Sequence, residues 1–415
     1  MVGVWCLVTW MNLGRPSKLR LVELGPGRGT LMSDLLRGAG SFPEFAQALE
    51  VELVEISPAL RRAQWVALRC TGGEQRSGVG SGGGETGVGE GGGGGQDAVE
   101  GTSSVSGGGV RVRWRATLDE VPQEGPPTVY LAHEFFDALP VHQFVRDKGG
   151  RNWLEKMVDV AEPSDPGPHH LRFVLSPGQT PAAALLVPRR LAALVDEERR
   201  GVQALEVSAH GMATAERLAL RVGAHGGAAL VIDYGRGSPP YTDSLIAIRQ
   251  HKGVHALSRP GTADLSAWVD FGALRLAAEG SGAAVEVHGP VSQAQLLLSL
   301  GIQARAQTLA DVATSEGQAQ ALAAAFHRLV GQDEGGMGRS YQAMAIVQGG
   351  LPAPVGLYKR GTLRLLQDQA NATNPTAAAP NATAAAPNAT AAAPNATAGA
   401  PHSDGDADEA GGTRK

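Results

Sequence analysis

Short apolar runs alternate with amphipathic stretches in the first part of the chain, and this alternation is typical of an α/β fold. Residues 2–13 predict an apolar helix that ends before a glycine and a proline. Residues 19–24 and 51–55 predict two buried strands. A helix is expected near residues 30–37. Ser57 and Pro58 begin another, because serine caps helices and proline suits their first turn.

The same pattern resumes further along the chain. Residues 151–175 are interpreted as a β-rich excursion, residues 182–222 as helical, and residues 234–237 as a second glycine turn. Residues 262–279 predict a short element and then a helix, and residues 292–300 predict an amphipathic helix. Four further strands are predicted at residues 110–115, 128–132, 228–233 and 341–347.

Two segments have a composition that does not suit a packed core. Residues 71–109 are dominated by glycine, serine and acidic residues, so we expect a disordered insertion there, because ordering glycine costs the most backbone entropy. Residues 367–415 contain a repeat of Pro-Asn-Ala-Thr-Ala-Ala-Ala and are expected to be a disordered tail. The expected folded domain is therefore residues 1–70 joined to residues 110–348.

Charge and composition exclude several classes of protein. The chain has 415 residues and a formal net charge of −5, with no basic stripe, so we expect no nucleic-acid partner. No apolar run is long enough to cross a bilayer. The two cysteines cannot form a disulfide framework. His133 and His142 do not have the spacing of metal ligands, and we expect no metal site.

A glycine-rich turn follows the first predicted strand. Glycines at positions 25, 27 and 29 allow the backbone to turn tightly and a ligand to approach the main chain. The third glycine comes one residue earlier than in the dinucleotide fingerprint. Glu23 ends the preceding strand, where it would repel a pyrophosphate but attract the amino group of a methionine-derived cofactor. The loop therefore favours S-adenosylmethionine.

Carboxylates also stand at the ends of two other predicted strands. Glu55 ends the second strand, where it suits the two hydroxyls of a ribose, a role common to nicotinamide and methyl-donor sites. Glu134 and Asp137 follow residues 128–132, at the sheet edge where open α/β sheets bind ligands. The pair could hold a guanidinium through charge-assisted hydrogen bonds. Capping of a following helix explains the pair equally well.

Taken together, these segments resemble the MidA family. The resemblance covers about residues 2–348 apart from the glycine-rich insertion. Relative to that family, the chain is expected to lack an N-terminal region that carries the targeting peptide and part of the cofactor cover. The matching segments are residues 21–31, 54–60, 133–142, 232–235, 249–252, 258–271 and 289–293.

The resemblance implies a Rossmann-like, S-adenosylmethionine-dependent methyltransferase sheet with a family-specific insertion. It implies symmetric dimethylation of a protein arginine on a core subunit of respiratory complex I, in the mitochondrial matrix and in support of complex I assembly. Glu134 and Asp137 are the candidate catalytic residues. The candidate cofactor contacts are Glu23, Gly25, Gly27, Gly29 and Glu55.

Two alternatives remain open from the residues alone. A non-catalytic assembly scaffold could bind the cofactor and the client protein without transferring a methyl group. A nicotinamide oxidoreductase would share the glycine turn, but the glycine spacing and Glu23 argue against it.

Overall fold

The computed structural model describes residues 1–72, 99–164, 169–237, 243–250 and 252–357. The strands are β1 Leu19–Leu24, β2 Leu49–Val54, β3 Cys70–Thr71, β4 Glu100–Ser103, β5 Val110–Arg115, β6 Thr128–His133, β7 His142–Arg146, β8 Trp153–Val160, β9 Leu171–Leu175, β10 Ala204–Val207, β11 Gly227–Arg236, β12 Ile246–Arg249, β13 Lys252–Val254, β14 Asp264–Ser266, β15 Val269–Asp270, β16 Val285–Ser292 and β17 Tyr341–Gln348. The helices are α1 Val2–Asn12, α2 Thr30–Ala39, α3 Pro43–Ala48, α4 Pro58–Ala67, α5 Pro181–Ala192, α6 Asp196–Gly201, α7 Ala209–His225, α8 Phe271–Glu279, α9 Gln293–Ser299, α10 Ile302–Asp311 and α11 Glu316–Val330.

A large twisted sheet organises the molecule. Its strand order is β16-β17-β11-β6-β1-β2-β5-β4-β3. The five central strands, from β11 through β6, β1 and β2 to β5, run parallel to one another. Strand β17 runs antiparallel between β11 and β16, and β4 runs antiparallel to β5. The Rossmann-like α/β prediction is confirmed, and the carboxyl ends of β1, β2, β6 and β11 meet at one edge.

Alternate side chains of the central strands serve two separate cores. Leu19 and Leu21 face a core that includes α1, α2 and α3, whereas Val22 and Leu24 face a core built with α5, α7 and α8. Glu23 is on the same face as Leu21, because side chains two residues apart in a strand point the same way. The Glu23 carboxylate is therefore placed under α1, at the end of β1.

Two smaller antiparallel sheets accompany the large one. The first has the order β10-β7-β8-β9, and the second has the order β13-β12-β14. The second sheet reaches the loop that follows β6, because the backbone amide of Ala267 donates to the carbonyl of Asp137 at 3.0 Å. Within the described part of the chain, no helix has the length and apolar character needed to cross a membrane.

Two sequence predictions are wrong in this region. Residues 182–222 are not continuously helical, because β10 separates α6 from α7 and pairs with β7, a long-range contact that local propensity does not encode. The expected glycine turn at residues 234–237 is instead the end of β11. Gly235 faces Val269 of β15 there, and an added Cβ would lie 2.1 Å from the Val269 carbonyl oxygen. The glycine permits the close approach of a strand.

The boundaries of the expected disordered segments also change. Residues 73–98 and 358–415 lie outside the described residues, and with them most of the insertion and the whole tail predicted over residues 367–415. The end of the predicted insertion is ordered, because β4 pairs antiparallel with β5. Gly101 lies under Trp65, where a Cβ would come within 2.7 Å of the indole ring. A small residue suits that strand position, which composition alone assigned to disorder.

Candidate active site

The glycine loop joins β1 to α2 and has an unusual backbone. Gly25, Gly27 and Gly29 have φ values of +62°, +54° and +78°, in the left-handed region that side chains disfavour. An added Cβ at Gly25 would lie 3.0 Å from Phe135, and one at Gly29 would lie 3.2 Å from Gln64. At Gly27 a Cβ would meet nothing within 4 Å. The loop therefore leaves open space at its middle glycine, where a ligand can approach the main chain.

Glu23 is buried beside this loop. Its side chain is 3% exposed, and its Oε2 atom has no hydrogen-bond partner. Burial raises the pKa of the Glu23 carboxyl from 4.5 to about 8. A buried carboxyl without a partner is costly unless a ligand completes it, and an ammonium group is the natural complement. The site thus fits the amino group of S-adenosylmethionine.

Glu55 follows β2 and is tied to the glycine loop by its neighbours. Its Oε1 accepts a hydrogen bond from the Ser57 backbone amide at 2.8 Å, and its Oε2 accepts one from Gln64 Nε2 at 3.3 Å. The same Gln64 Nε2 donates to the carbonyl of Gly27 at 2.7 Å. Glu55 keeps lone pairs for the hydroxyls of a ribose, since each carboxylate oxygen can accept two hydrogen bonds.

Sequence reasoning missed Gln64, which positions both parts of the predicted cofactor site. The side chain is fully buried, and its Oε1 accepts from Trp114 Nε1 at 2.8 Å. Gln64 lies on α4 and Trp114 lies on β5, 50 residues further along the chain. No local motif signals this contact, because it depends on the pairing of β5 with β2.

The acidic loop after β6 crosses the sheet edge next to the glycine loop. Glu134 has a φ of +51°, a conformation that costs a residue with a side chain about 1 kcal/mol. Its backbone amide donates to the carbonyl of Ile232 on β11 at 3.0 Å. The ring of Phe135 lies next to Gly25, where an added Cβ would come within 3.0 Å of it, so the two loops are neighbours. The structure therefore places Glu134 and Asp137 beside the predicted cofactor loop.

Each acidic side chain of this loop has one defined partner. The Tyr341 hydroxyl donates to Glu134 Oε1 at 3.2 Å, and Ser266 Oγ donates to Asp137 Oδ2 at 2.6 Å. Ser266 also hydrogen-bonds to the hydroxyl of Tyr234. Asp137 Oδ1 is buried and has no partner. Burial raises the pKa of the Asp137 carboxyl, and the nearby Glu134 raises it further, while the Ser266 hydroxyl opposes the shift.

These contacts decide against one interpretation of the acidic pair. No helix begins directly after residues 134–137, since the next element is β7 at His142. The carboxylates therefore do not cap a helix, which was the competing explanation. They share the edge with Tyr234 and Tyr341, whose rings lie 5.9 Å apart. Two carboxylates beside aromatic rings, with one oxygen that accepts no hydrogen bond, suit a substrate group that is positively charged.

The two histidines that the sequence analysis considered as metal ligands, His133 and His142, lie in different environments. His133 ends β6, and burial lowers the pKa of its imidazole, which favours the neutral form. It lines a cleft of about 730 Å³ together with Ile232 and residues of α1, α2 and α9. His142 instead contacts Glu155 through Nδ1 at 2.7 Å. In the ranges that the structure describes, no group of three or more His, Cys, Asp or Glu residues could hold a metal ion.

The family-matching segments at residues 249–252 and 258–271 are rich in polar residues and contribute in part to the site. Arg249 is used internally, because its guanidinium donates to the carbonyls of Ser258 and Thr262 at 2.7 and 3.0 Å. Ser266 reaches the acidic loop, as described above. Asp270 caps α8 and pairs with buried Arg190. His251 lies outside the described residues. The density of polar residues therefore reflects local packing as well as the site.

Comparison with known proteins agrees with this geometry. A sequence model described as an S-adenosyl-L-methionine-dependent methyltransferase family matches residues 1–291. The chain belongs to this methyltransferase family. Its cofactor is accordingly S-adenosyl-L-methionine, and the matched residues include the glycine loop and the three strand ends that bear Glu23, Glu55 and the Glu134–Asp137 pair. The resemblance to the MidA family, and the S-adenosylmethionine cofactor predicted from Glu23 and the glycines, are confirmed at the level of the family.

Several curated proteins are similar to the chain over most of its length. A protein of Xenopus tropicalis named "Protein arginine methyltransferase NDUFAF7, mitochondrial" is 35% identical over 350 residues, which are 84% of this chain and 72% of the relative. The human protein of the same name is 35% identical over 353 residues, or 84% of this chain and 70% of the relative. A Drosophila melanogaster homologue is 35% identical over 365 residues, or 86% and 74%.

Solved structures share the fold. A Burkholderia thailandensis protein crystallised with S-adenosyl-homocysteine superposes with a TM-score of 0.61 at 24% identity, over 86% of this chain and 78% of that chain. A native crystal structure from the same organism gives a TM-score of 0.62 at 23% identity, over 86% and 80%. These likenesses support the α/β fold of the chain.

Proposed function

We propose that this methyltransferase transfers methyl groups to arginine side chains of a protein substrate, and that Glu134 and Asp137 are its catalytic residues. The observation that carries the proposal is the buried, unpartnered Oδ1 of Asp137 at the sheet edge, beside the glycine loop. A guanidinium carries several N–H donors in a fixed plane and can bond two carboxylates at once. The curated relatives, which carry the name of protein arginine methyltransferases, support the same acceptor.

The residues of this chain would position both reactants. Glu23 would bind the amino group of the cofactor, and Glu55 would bind its ribose hydroxyls. The glycines at positions 25, 27 and 29 would let the cofactor approach the main chain closely. S-adenosylmethionine supplies the methyl group when it is bound. Catalysis would then depend mainly on holding the acceptor nitrogen in line with that methyl group.

Glu134 and Asp137 would divide the work on the acceptor. Both carboxylates would accept hydrogen bonds from the guanidinium and fix its plane. The methylated guanidinium must lose a proton, and Asp137 Oδ1 would accept it. Burial raises the pKa of Asp137, so that its carboxylate is a better proton acceptor than a solvated one. Tyr341 would keep Glu134 in place through the hydrogen bond to Oε1.

We further propose the finer assignments that the family resemblance suggests. These are symmetric dimethylation, a core subunit of respiratory complex I as substrate, and a location in the mitochondrial matrix. The word "mitochondrial" in the relatives' names supports the location. The folded methyltransferase domain would comprise residues 1–70 and about 100–348, with β4 included.

Two variants test the assignment of the acidic pair. Glu134→Gln and Asp137→Asn keep the shape of each side chain but remove its charge. We expect each to lower the rate of arginine methylation by about 100-fold or more, in line with the loss of a charge-assisted contact at the reacting group. Binding of S-adenosyl-homocysteine, measured by calorimetry, should remain within about threefold of the parent protein, because the cofactor contacts are unchanged.

The outcomes separate three interpretations. Methylation at the parental rate by both variants would exclude the acidic pair from catalysis. Cofactor binding by the parent protein without any methylated product would favour the assembly scaffold. Methylation of lysine or glutamine instead of arginine would keep the methyltransferase and overturn the acceptor.

A further inference from the structure

Asp233 occupies an unusual position next to the acidic loop. It lies on β11, it is completely buried, and its Oδ2 accepts three consecutive backbone amides. These amides belong to Phe135, Phe136 and Asp137, at 3.1, 3.0 and 3.3 Å. Its Oδ1 accepts a fourth, from Tyr234, at 2.9 Å. One carboxyl group therefore accepts hydrogen bonds from three of the four backbone amides of residues 134–137.

The conformation of the loop explains why such an acceptor is needed. The left-handed Glu134 turns the chain so that the next three N–H groups point inward to one place. Buried backbone donors without an acceptor are strongly disfavoured, so this turn requires a group that can accept several bonds at once. The strand itself cannot supply one, because the carbonyl of Ile232 is already bonded to the Glu134 amide. The Asp233 side chain supplies it.

Asp233 cannot contact a protein substrate, because none of its surface is exposed. Glu134 and Asp137, on the loop that Asp233 holds, do line the site. They flank Phe135 and Phe136 in the sequence, so any movement of the loop would displace both carboxylates. Small displacements at a reacting centre reduce rates strongly, because catalysis of this type depends on positioning.

We propose that Asp233 is a positioning residue that fixes the acidic loop, and thereby sets the separation and aim of Glu134 and Asp137 for the acceptor. This inference rests on the proposed function for its effect on catalysis, whereas the anchoring itself is independent of the acceptor. The functional unit is therefore a set of three carboxyl groups, in which Asp233 holds the loop and Glu134 and Asp137 line the site.

The anchoring is tested first by hydrogen–deuterium exchange of the full chain, without activity as a readout. In Asp233→Ala the amides of Phe135, Phe136 and Asp137 should exchange about 10- to 100-fold faster than in the parent, because each loses a buried acceptor. Asp233→Asn should largely restore protection, since its carbonyl oxygen can still accept. The amides of β2 serve as an internal reference and should not change.

Kinetics then test the consequence. Asp233→Ala should lower kcat for an arginine peptide by about 100-fold, with the affinity for S-adenosyl-homocysteine within about threefold of the parent. Asp233→Asn should recover at least about tenfold of that loss. In an Asp137→Asn background the Asp233→Ala change should cost much less, because two residues that act through one contact are not additive. Glu52→Ala, which removes another fully buried carboxylate, controls for general destabilisation.

Each result has a defined meaning. Unchanged exchange at residues 135–137 in Asp233→Ala would overturn the anchoring. Faster exchange with a parental kcat would show that catalysis does not need the anchor, and would also overturn the proposal. If exchange is faster in Asp233→Ala but the parent protein methylates no arginine peptide, the anchoring by Asp233 would stand and the proposed function would be wrong. A loss of kcat in Glu52→Ala as large as in Asp233→Ala would reduce the effect to general instability.

Discussion

The buried carboxyl of Glu23 should make the cofactor-free protein less stable as the pH rises above 4.5. Its pKa is 4.5 in an unfolded chain and about 8 in the folded protein, so the folded state binds the proton more tightly. Below pH 4.5 both states are protonated and the group has no effect. Between the two pKa values the unfolded chain ionises first, and the free energy of unfolding falls by about 1.4 kcal/mol per pH unit.

Glu23→Gln removes this penalty because glutamine stays neutral at every pH. The difference accumulates over the two and a half pH units between 4.5 and 7. The variant should therefore unfold with a free energy up to about 3 kcal/mol higher than the parent at pH 7, in the absence of cofactor. At pH 5 the gain should be below about 1 kcal/mol. A residue kept at such a cost is best explained by a ligand that uses its charge.

Urea denaturation of both proteins at several pH values measures this difference directly. Glu52→Gln is the matched control, because Glu52 is 1% exposed but is paired with Arg113 and Arg115. That change should destabilise the protein, since it removes the charge from a satisfied ion pair. A Glu23→Gln gain that is constant from pH 5 to pH 7, or a loss at pH 7, would refute the account of Glu23 as a neutral, unpartnered acid.

Three other results are expected. The affinity of the parent for S-adenosyl-homocysteine should rise about tenfold per pH unit between pH 6 and 7.5, because Glu23 must ionise to bind the ammonium group of the ligand. Glu23→Gln should abolish this slope. A parental affinity that calorimetry finds independent of pH would contradict the pairing of Glu23 with the ammonium group. Gly27→Ala should weaken that binding at least about tenfold while lowering stability by about 1 kcal/mol. Gly14 also has a left-handed φ, +83° against +54° at Gly27, and equally open surroundings, so Gly14→Ala should lower stability alone. Equal affinities of the two variants would exclude Gly27 from the cofactor site. Ser266→Ala should lower kcat by about tenfold without changing cofactor affinity, because Asp137 loses its partner; an unchanged kcat would separate Ser266 from the reaction.

Local patterns predicted the elements that bear the site. The glycine loop lies between a short apolar strand and an amphipathic helix, so its place at the sheet edge follows from chain order alone. Ser57 accepts from the amide of Leu60, at the helix start that the Ser-Pro pair predicted. The strand that leads to Glu134 is a buried run of β-branched and apolar residues. In each case the information is contained within about ten neighbouring residues.

Local sequence patterns do not predict contacts between strands that are distant along the chain. Asp233 is the last residue of the strand predicted at residues 228–233, and nothing in that apolar run indicates its role, which depends on the pairing of β11 with β6. Gln64 has the same character, because its three partners belong to the glycine loop, the end of β2 and β5. The glycine at position 235 was interpreted as a turn, since a glycine that admits a neighbouring strand has no separate local signature. Residues that position others are therefore the ones that sequence reasoning missed.

Methylation of arginine with S-adenosylmethionine is the activity that we propose for this chain. The most direct measurement is mass spectrometry of peptides that tile the core subunits of complex I, after incubation with the full chain and cofactor carrying an isotope-labelled methyl group. We expect one and then two labelled methyl groups on an arginine, placed on different ω-nitrogens, and none with the Glu134→Gln and Asp137→Asn double variant. Tight binding of S-adenosyl-homocysteine with no label on any arginine would contradict it.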